Sequence, residues 1–142
     1  MNIPFESRKS YIINREEGHM ETNVIRVAVV DDEESVRKAL SRLLRSAGFE
    51  VESFASGTEY LDSLQSKKPD CLVIDLHMPV LNGLDVINHM SEQGFKIPTI
   101  VITGYDGIGM TQRVITAGAV TCLHKPVDDE SLISALMSCT EK

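Results

Sequence analysis

Three aspartates directly follow apolar segments of the chain. Asp31 and Asp32 come after residues 24–30, and Asp75 comes after residues 71–74. Hard carboxylate oxygens suit Mg²⁺, which shares its coordination shell with phosphate groups. A carboxylate can also act as a nucleophile and form an acyl phosphate. The aspartates therefore predict a magnesium-assisted phosphoryl-transfer site, with Asp75, at the end of the central strand, as the nucleophile.

A hydroxyl and an ammonium group follow two further apolar segments. Thr103 closes the segment 97–102, and Lys125 follows residues 120–124. The ammonium group would place a point charge beside phosphoryl oxygens, and the hydroxyl would donate a hydrogen bond. Simpler alternatives stay open: the paired aspartates could cap a helix, the threonine could form a turn, and the lysine could lie in solvent.

Alternating strand and helix patterns from Val24 onward must position these side chains. Five β/α units in succession predict a parallel sheet with helices on both faces. We expect a flavodoxin-like, doubly wound α/β fold with five helices and strand order 2-1-3-4-5, in which the second strand, carrying Glu50 and Glu52, forms an edge. The predicted strands comprise residues 24–30, 49–54, 70–76, 97–103 and 120–124.

Composition limits the functional classes. The 142 residues suit one domain, predicted over residues 24–142, preceded by a polar, aperiodic segment 1–23 that is a flexible extension or a cloning remnant. The net charge of -7 argues against direct contact with nucleic acid. The sequence shows neither a signal peptide nor a membrane-spanning segment, so we expect a cytoplasmic location without membrane contact.

The three cysteines have no metal-type spacing. Cys71 and Cys122 fall in apolar strands, and Cys139 falls on the last helix. We expect them to be small buried hydrophobic residues in a reducing compartment, not parts of a disulfide framework.

The same segments resemble the receiver domain of two-component response regulators. The resemblance covers roughly residues 24–140 and is closest to receivers of the nitrogen-fixation regulator type, which often precede a helix-turn-helix domain. It rests on Val-Val-Asp-Asp-Glu (29–33), Ile-Asp-Leu-His-Met-Pro (74–79), Asn-Gly (82–83), Ile-Thr-Gly (102–104), Ala-Gly-Ala (117–119) and Lys-Pro (125–126).

The resemblance implies a role for each side chain at the strand ends. Asp75 would accept a phosphoryl group from a histidine kinase or a phosphotransfer protein. Asp32 and Asp75 would bind Mg²⁺, with Asp31 acting directly or through water and the backbone carbonyl of His77 as a further ligand. The phosphoryl group would be contacted by Thr103 and Lys125.

The resemblance also implies a signalling module rather than an enzyme, with only self-phosphorylation from phosphodonors and autodephosphorylation. Its contact surface would be helix four, strand five and helix five, which could support a homodimer. The chain would be a stand-alone receiver or a part of a DNA-binding regulator.

The sequence departs from the family pattern at Cys122, three positions before Lys125, where receivers usually carry an aromatic switch residue. We therefore expect output to depend on movement of the loop and helix at residues 104–118. His77 and Tyr105 occupy positions that border the site in the family. Tyr105 is expected to shield the phosphoryl group from water, with a surface role toward a partner as the alternative.

Two other protein classes remain alternatives. A haloacid dehalogenase-type phosphatase would need acids two residues apart after the first strand, whereas Asp31 and Asp32 are adjacent. A flavin-binding flavodoxin-like module would need an uncharged phosphate loop there, and the acidic residues 31–34 would repel a phosphate.

Overall fold

We describe the protein from a computed structural model. The structure describes the backbone of residues 10–14 and 19–23, and backbone and side chains of residues 24–104 and 109–140. The strands are β1 (Ser10–Asn14), β2 (His19–Asn23), β3 (Arg26–Val30), β4 (Glu50–Phe54), β5 (Cys71–Asp75), β6 (Thr99–Thr103) and β7 (Thr121–His124). The helices are α1 (Glu34–Ser46), α2 (Gly57–Ser63), α3 (Gly83–Glu92), α4 (Met110–Ala117) and α5 (Asp129–Thr140).

Five strands form one parallel sheet in the order β4-β3-β5-β6-β7. This order confirms the predicted 2-1-3-4-5 arrangement, with β4 at one edge. The register pairs Asp75 with Ile102 and Thr103 with His124. The carboxyl ends of the inner strands therefore meet at one edge of the sheet, as the site prediction requires.

Each face of the sheet covers a hydrophobic core. The helices α2, α3 and α4 pack on one face around Tyr60, Val86 and Val114. The helices α1 and α5 pack on the other face around Leu44 and Leu132. Every residue of β5 is buried, as expected for a central strand covered on both faces.

Local signals at the helix ends are mostly those visible in the sequence. Gly48 follows α1 with a φ of 98°, a backbone conformation that glycine adopts without steric cost. The Ser56 hydroxyl caps α2 by accepting a hydrogen bond from the Glu59 N–H. A complete capping box between Asn82 and Asp85 begins α3.

The strands β1 and β2 pair in an antiparallel hairpin within the segment predicted to be an aperiodic extension. The hairpin was not foreseen, and the division of the chain at residue 23 stays a prediction. Within the described parts of the chain, no helix combines the length and apolarity needed to cross a membrane.

Candidate phosphoryl-transfer site

Two buried carboxylates lie at the carboxyl ends of adjacent strands. Asp31 follows β3 and is 2% exposed, and Asp75 ends β5 and is 5% exposed. Asp32, the next residue along the chain, is exposed. The order of the strands thus brings Asp75 together with Asp31 and Asp32, which precede it by more than forty residues in the sequence.

A single ammonium group faces both buried carboxylates. The Nζ atom of Lys125 lies 3.5 Å from Asp75 Oδ1 and 3.7 Å from Asp31 Oδ2. The backbone N–H of Lys125 donates to the carbonyl of Thr103 at 2.8 Å, which ties the lysine to the end of β6. The Lys125-Pro126 peptide is cis.

Asp31 is held in place from two directions. Its Oδ1 atom accepts a hydrogen bond of 2.9 Å from the backbone N–H of Glu33. Its backbone carbonyl accepts a 2.8 Å hydrogen bond from the guanidinium of Arg37, on the first turn of α1. The sequence alone does not indicate this role of Arg37, because nothing in its helical pattern points to a contact with a backbone oxygen.

Burial raises the pKa of both inner carboxyl groups. The pKa of Asp75 is raised chiefly by its removal from water and next by the negative charge of Asp31. Lys125 and the backbone N–H of His77 oppose this shift. The pKa of Asp31 is also raised by burial, against the hydrogen bond from Glu33 and the charge of Lys125. One lysine thus offsets only part of the negative charge, and a cation would stabilise the ionised form of both groups.

The carboxylate cluster fits a divalent cation. Asp31, Asp32 and Asp75 each offer one oxygen atom, and these oxygens all lie within 4.8 Å of one another. Two of the carboxylates are buried and one is exposed. An all-oxygen donor set at a partly open site is the type that Mg²⁺ uses while keeping some of its waters.

The remaining predicted residues surround this cluster in different ways. Thr103 is fully buried at the end of β6, and His77 is exposed just beyond Asp75. Cys122 is half-buried on β7 and packs against the core on the face of α2, α3 and α4. Tyr105 lies outside the described residues.

Gly83 is a structural part of the site that spacing alone did not reveal. A Cβ atom at this position would lie 2.9 Å from the carbonyl oxygen of Asp75 and 3.1 Å from the Cα of Leu76. Since glycine has no Cβ, the first turn of α3 can approach the end of β5 closely, and the Gly83 N–H donates to the Leu76 carbonyl at 2.9 Å.

This chain is similar in sequence to proteins of one family. A family model described as "Response regulator receiver domain" matches residues 27–137. Nodulation protein W of Bradyrhizobium diazoefficiens is 40% identical over 126 residues, which cover 88% of this chain and 56% of that protein. The transcriptional regulatory protein FixJ of Rhizobium meliloti is 36% identical over 115 residues, covering 81% of this chain and 56% of that protein.

A solved structure supports the same relationship. The crystal structure of FixJ-N is 34% identical, has a TM-score of 0.78, and covers 84% of this chain and 95% of that chain. The resemblance to receivers of the nitrogen-fixation regulator type is therefore confirmed. The chain spans about half the length of the curated relatives it matches. Because the family model covers most of the chain and the fold agrees with it, the chain belongs to the response regulator receiver domain family.

Proposed function

We propose that this domain is a phosphorylation-switched signalling module whose phosphoacceptor is Asp75. The observation that carries the proposal is the position of the Asp75 carboxylate, 3.5 Å from Lys125 Nζ and within one cluster with Asp31 and Asp32. A carboxylate at a strand end, beside a fixed positive charge, is suited to attack an incoming phosphoryl group.

The reaction transfers one phosphoryl group between two side chains. A carboxylate oxygen of Asp75 attacks phosphorus, an O–P bond forms, and the N–P bond of a phosphohistidine donor breaks. The histidine leaves as a neutral imidazole after taking up a proton. Lys125 moves its interaction from the carboxylate toward the phosphoryl oxygens, and the Thr103 hydroxyl donates a hydrogen bond to one of them.

The acidic cluster would hold Mg²⁺ through Asp31, Asp32 and Asp75, together with the backbone carbonyl of His77. When bound, the ion would neutralise charge on the carboxylates and on the phosphoryl oxygens. The raised pKa of Asp75 supports this assignment, because the nucleophile must be ionised and Lys125 alone leaves an excess of negative charge.

The partner is proposed to be a sensor histidine kinase or a histidine phosphotransfer protein. Output is proposed to pass through α4, β7 and α5, by contact with a partner or by formation of a homodimer. Since FixJ is named a transcriptional regulatory protein and the chain spans about half of it, we propose that this receiver controls a DNA-binding regulator, with a stand-alone receiver as the alternative. A cytoplasmic location stays a prediction.

Acetyl phosphate provides a direct test. With Mg²⁺ present, intact-mass measurement should show the gain of one phosphoryl group that hydroxylamine removes, as expected for an acyl phosphate. Peptide mapping should place it at Asp75, and EDTA should suppress it. Asp75→Asn should abolish the gain, while Asp62→Asn, at an exposed position on α2, should leave it unchanged.

The same experiment separates the alternatives, which the family match does not favour. A phosphatase of the haloacid dehalogenase type would carry the label at Asp31, and a flavin-binding module would bind a flavin nucleotide and acquire no label. Labelling of the Asp75→Asn variant at the wild-type rate would contradict the assignment of the phosphoacceptor.

A further inference from the structure

Two thiols meet between the sheet and α5, away from the acidic cluster. Cys71, the first residue of β5, and Cys139, in the last turn of α5, are 68 positions apart in the sequence, and their Sγ atoms lie 2.7 Å apart. The sulfurs therefore face each other in hydrogen-bond contact. The two sulfur atoms need to move only slightly closer to reach the length of a covalent sulfur–sulfur bond, about 2.05 Å.

The two thiols differ in their access to solvent. Cys71 is fully buried, whereas Cys139 is half-buried at the end of its helix. The hydrogen bond between the two thiols lowers the pKa of Cys139, and the same bond together with burial raises the pKa of Cys71. Cys139 is thus the more accessible residue of the two and the one whose thiolate forms more readily, and Cys71 lies in position to react next.

We propose that Cys71 and Cys139 form a reversible intramolecular disulfide when the protein meets a peroxide. The Cys139 thiolate attacks one peroxide oxygen, the O–O bond breaks, and Cys139 becomes a sulfenic acid while hydroxide leaves and is protonated. Cys71 then loses its proton and attacks the Cys139 sulfur, and the S–O bond breaks. Two thiols and one hydrogen peroxide give one disulfide and two waters, and a dithiol reductant reverses the change.

The position of the pair predicts what the disulfide changes. Cys71 and Asp75 stand at opposite ends of β5, about 13 Å apart along the strand. The bond would tie α5 to the central strand and close a long loop of the unfolded chain, which stabilises the folded state. Oxidation should therefore raise the Tm by about 5–10 °C and leave the rate of Asp75 labelling unchanged. The separate sites also keep a failure of this proposal distinct from a failure of the proposed phosphoacceptor.

Thiol counting tests the proposal, because the chain has three cysteines. The full chain is treated with hydrogen peroxide, unfolded in acid and titrated with a thiol reagent. The wild-type count should fall from three to one, with the protein still monomeric on a non-reducing gel. Non-reducing peptide mapping should recover a Cys71–Cys139 linkage, and dithiothreitol should restore all three thiols and the original Tm.

Alanine variants supply the controls. Cys122→Ala should still lose two thiols and gain the same Tm increase, whereas Cys139→Ala and Cys71→Ala should form no intramolecular bond and show no increase. Cys139 is half-buried, so its variant tests the bond even if the buried Cys71→Ala substitution impairs folding. A linkage that includes Cys122, a disulfide between two chains, or a wild-type count that stays at three would overturn the proposal.

Discussion

At the scale of single residues, the site places two buried acids beside one lysine. Asp31 and Asp75 both contact Lys125, and burial raises the pKa of both. Such an arrangement costs stability in the absence of a cation, because the ionised carboxylates are removed from water and repel each other. The residues that give the site its chemistry therefore weaken the metal-free fold.

Asp75→Asn should stabilise the metal-free protein, and the gain should depend on pH. The pKa of Asp75 is raised above its ordinary value of 3.8, so the folded state holds this proton more tightly than the unfolded state. Protonation of Asp75 therefore stabilises the folded state fully below pH 3.8. This stabilisation is lost as the pH rises through the raised pKa of the folded state. An asparagine cannot ionise, so its advantage should be small in acid and grow toward neutral pH.

Urea unfolding in EDTA at a series of pH values measures this difference. Asp62→Asn is the matched control, because that aspartate is exposed on α2. A stability difference between wild type and Asp75→Asn that does not change with pH would contradict the electrostatic explanation.

The loop after β5 stores backbone strain in one exposed residue. Val80 has a φ of 68° and is 91% exposed, and the Leu81 N–H donates to the Pro79 carbonyl at 2.8 Å. A hydrogen bond between the first and third residues of a turn, with a positive φ at the central residue, is typical of the strained form of the γ-turn. Valine is β-branched and therefore disfavoured at this positive φ, and the exposed Val80 side chain gains almost no burial that would offset the cost.

Val80→Gly should therefore raise the free energy of unfolding by about 1 kcal/mol, because relief of the strain outweighs the added freedom of the unfolded chain. Val120→Gly is the matched control, since Val120 is 48% exposed and is not among the described residues with a positive φ. The control should lose about 1 kcal/mol, as glycine ordinarily does. Equal losses in both variants, measured by urea unfolding, would show that the turn is unstrained.

At the scale of elements, the junction between β5 and α3 determines where the Asp75 carboxylate lies. Gly83→Ala should lower the free energy of unfolding by about 1–3 kcal/mol, because the new Cβ would lie 2.9 Å from the Asp75 carbonyl oxygen, and backbone must move to relieve the contact. The acetyl phosphate labelling rate should fall as well.

Gly104→Ala provides the comparison. Among the described residues, the Cβ there would meet the Lys125 side chain at an ordinary 3.6 Å, so chemical unfolding should show little change in stability. Equal losses in the two variants would indicate a general cost of replacing glycine rather than a steric contact at Asp75.

Periodicity predicted the elements and their order well, because β5 and β6 are apolar on both faces and β4 carries charges suited to an edge. It could not predict the contacts that shape the site. The Arg37 hydrogen bond to the Asp31 carbonyl and the close approach of Gly83 depend on three-dimensional distances. The cysteines show the same limit, since no sequence spacing indicates that residues 71 and 139 face each other.

A separate experiment tests which element of the domain changes on phosphorylation. Cys122 packs on the face of the sheet that α4 covers, where the family usually has an aromatic residue. If output depends on α4 and the preceding loop rather than on a ring at position 122, phosphorylation should shift the amide resonances of residues 104–118 in wild type and in Cys122→Ala alike. Absence of shifts in this segment would contradict the proposed readout.

At the scale of the whole molecule, binding of Mg²⁺ at the acidic cluster should stabilise the entire domain. A ligand that binds only the folded state adds about 2.7 kcal/mol when its concentration is a hundred times its Kd. Because the unfolded chain does not hold Asp31, Asp32 and Asp75 within 4.8 Å, nearly all of this binding belongs to the folded state. The Tm should therefore rise with added Mg²⁺ and fall again with EDTA.

Asp32→Asn distinguishes site binding from a general effect of ions. This carboxylate is exposed, so its loss should cost the fold little, yet it should remove most of the Mg²⁺-dependent rise in Tm. Asp62→Asn should keep the full rise, and potassium chloride at matched ionic strength should produce little change in any variant, since screening acts weakly on buried charges. An equal Mg²⁺ response in wild type and Asp32→Asn would exclude the cluster as the binding site, because a cation held by three carboxylates must sense the loss of one.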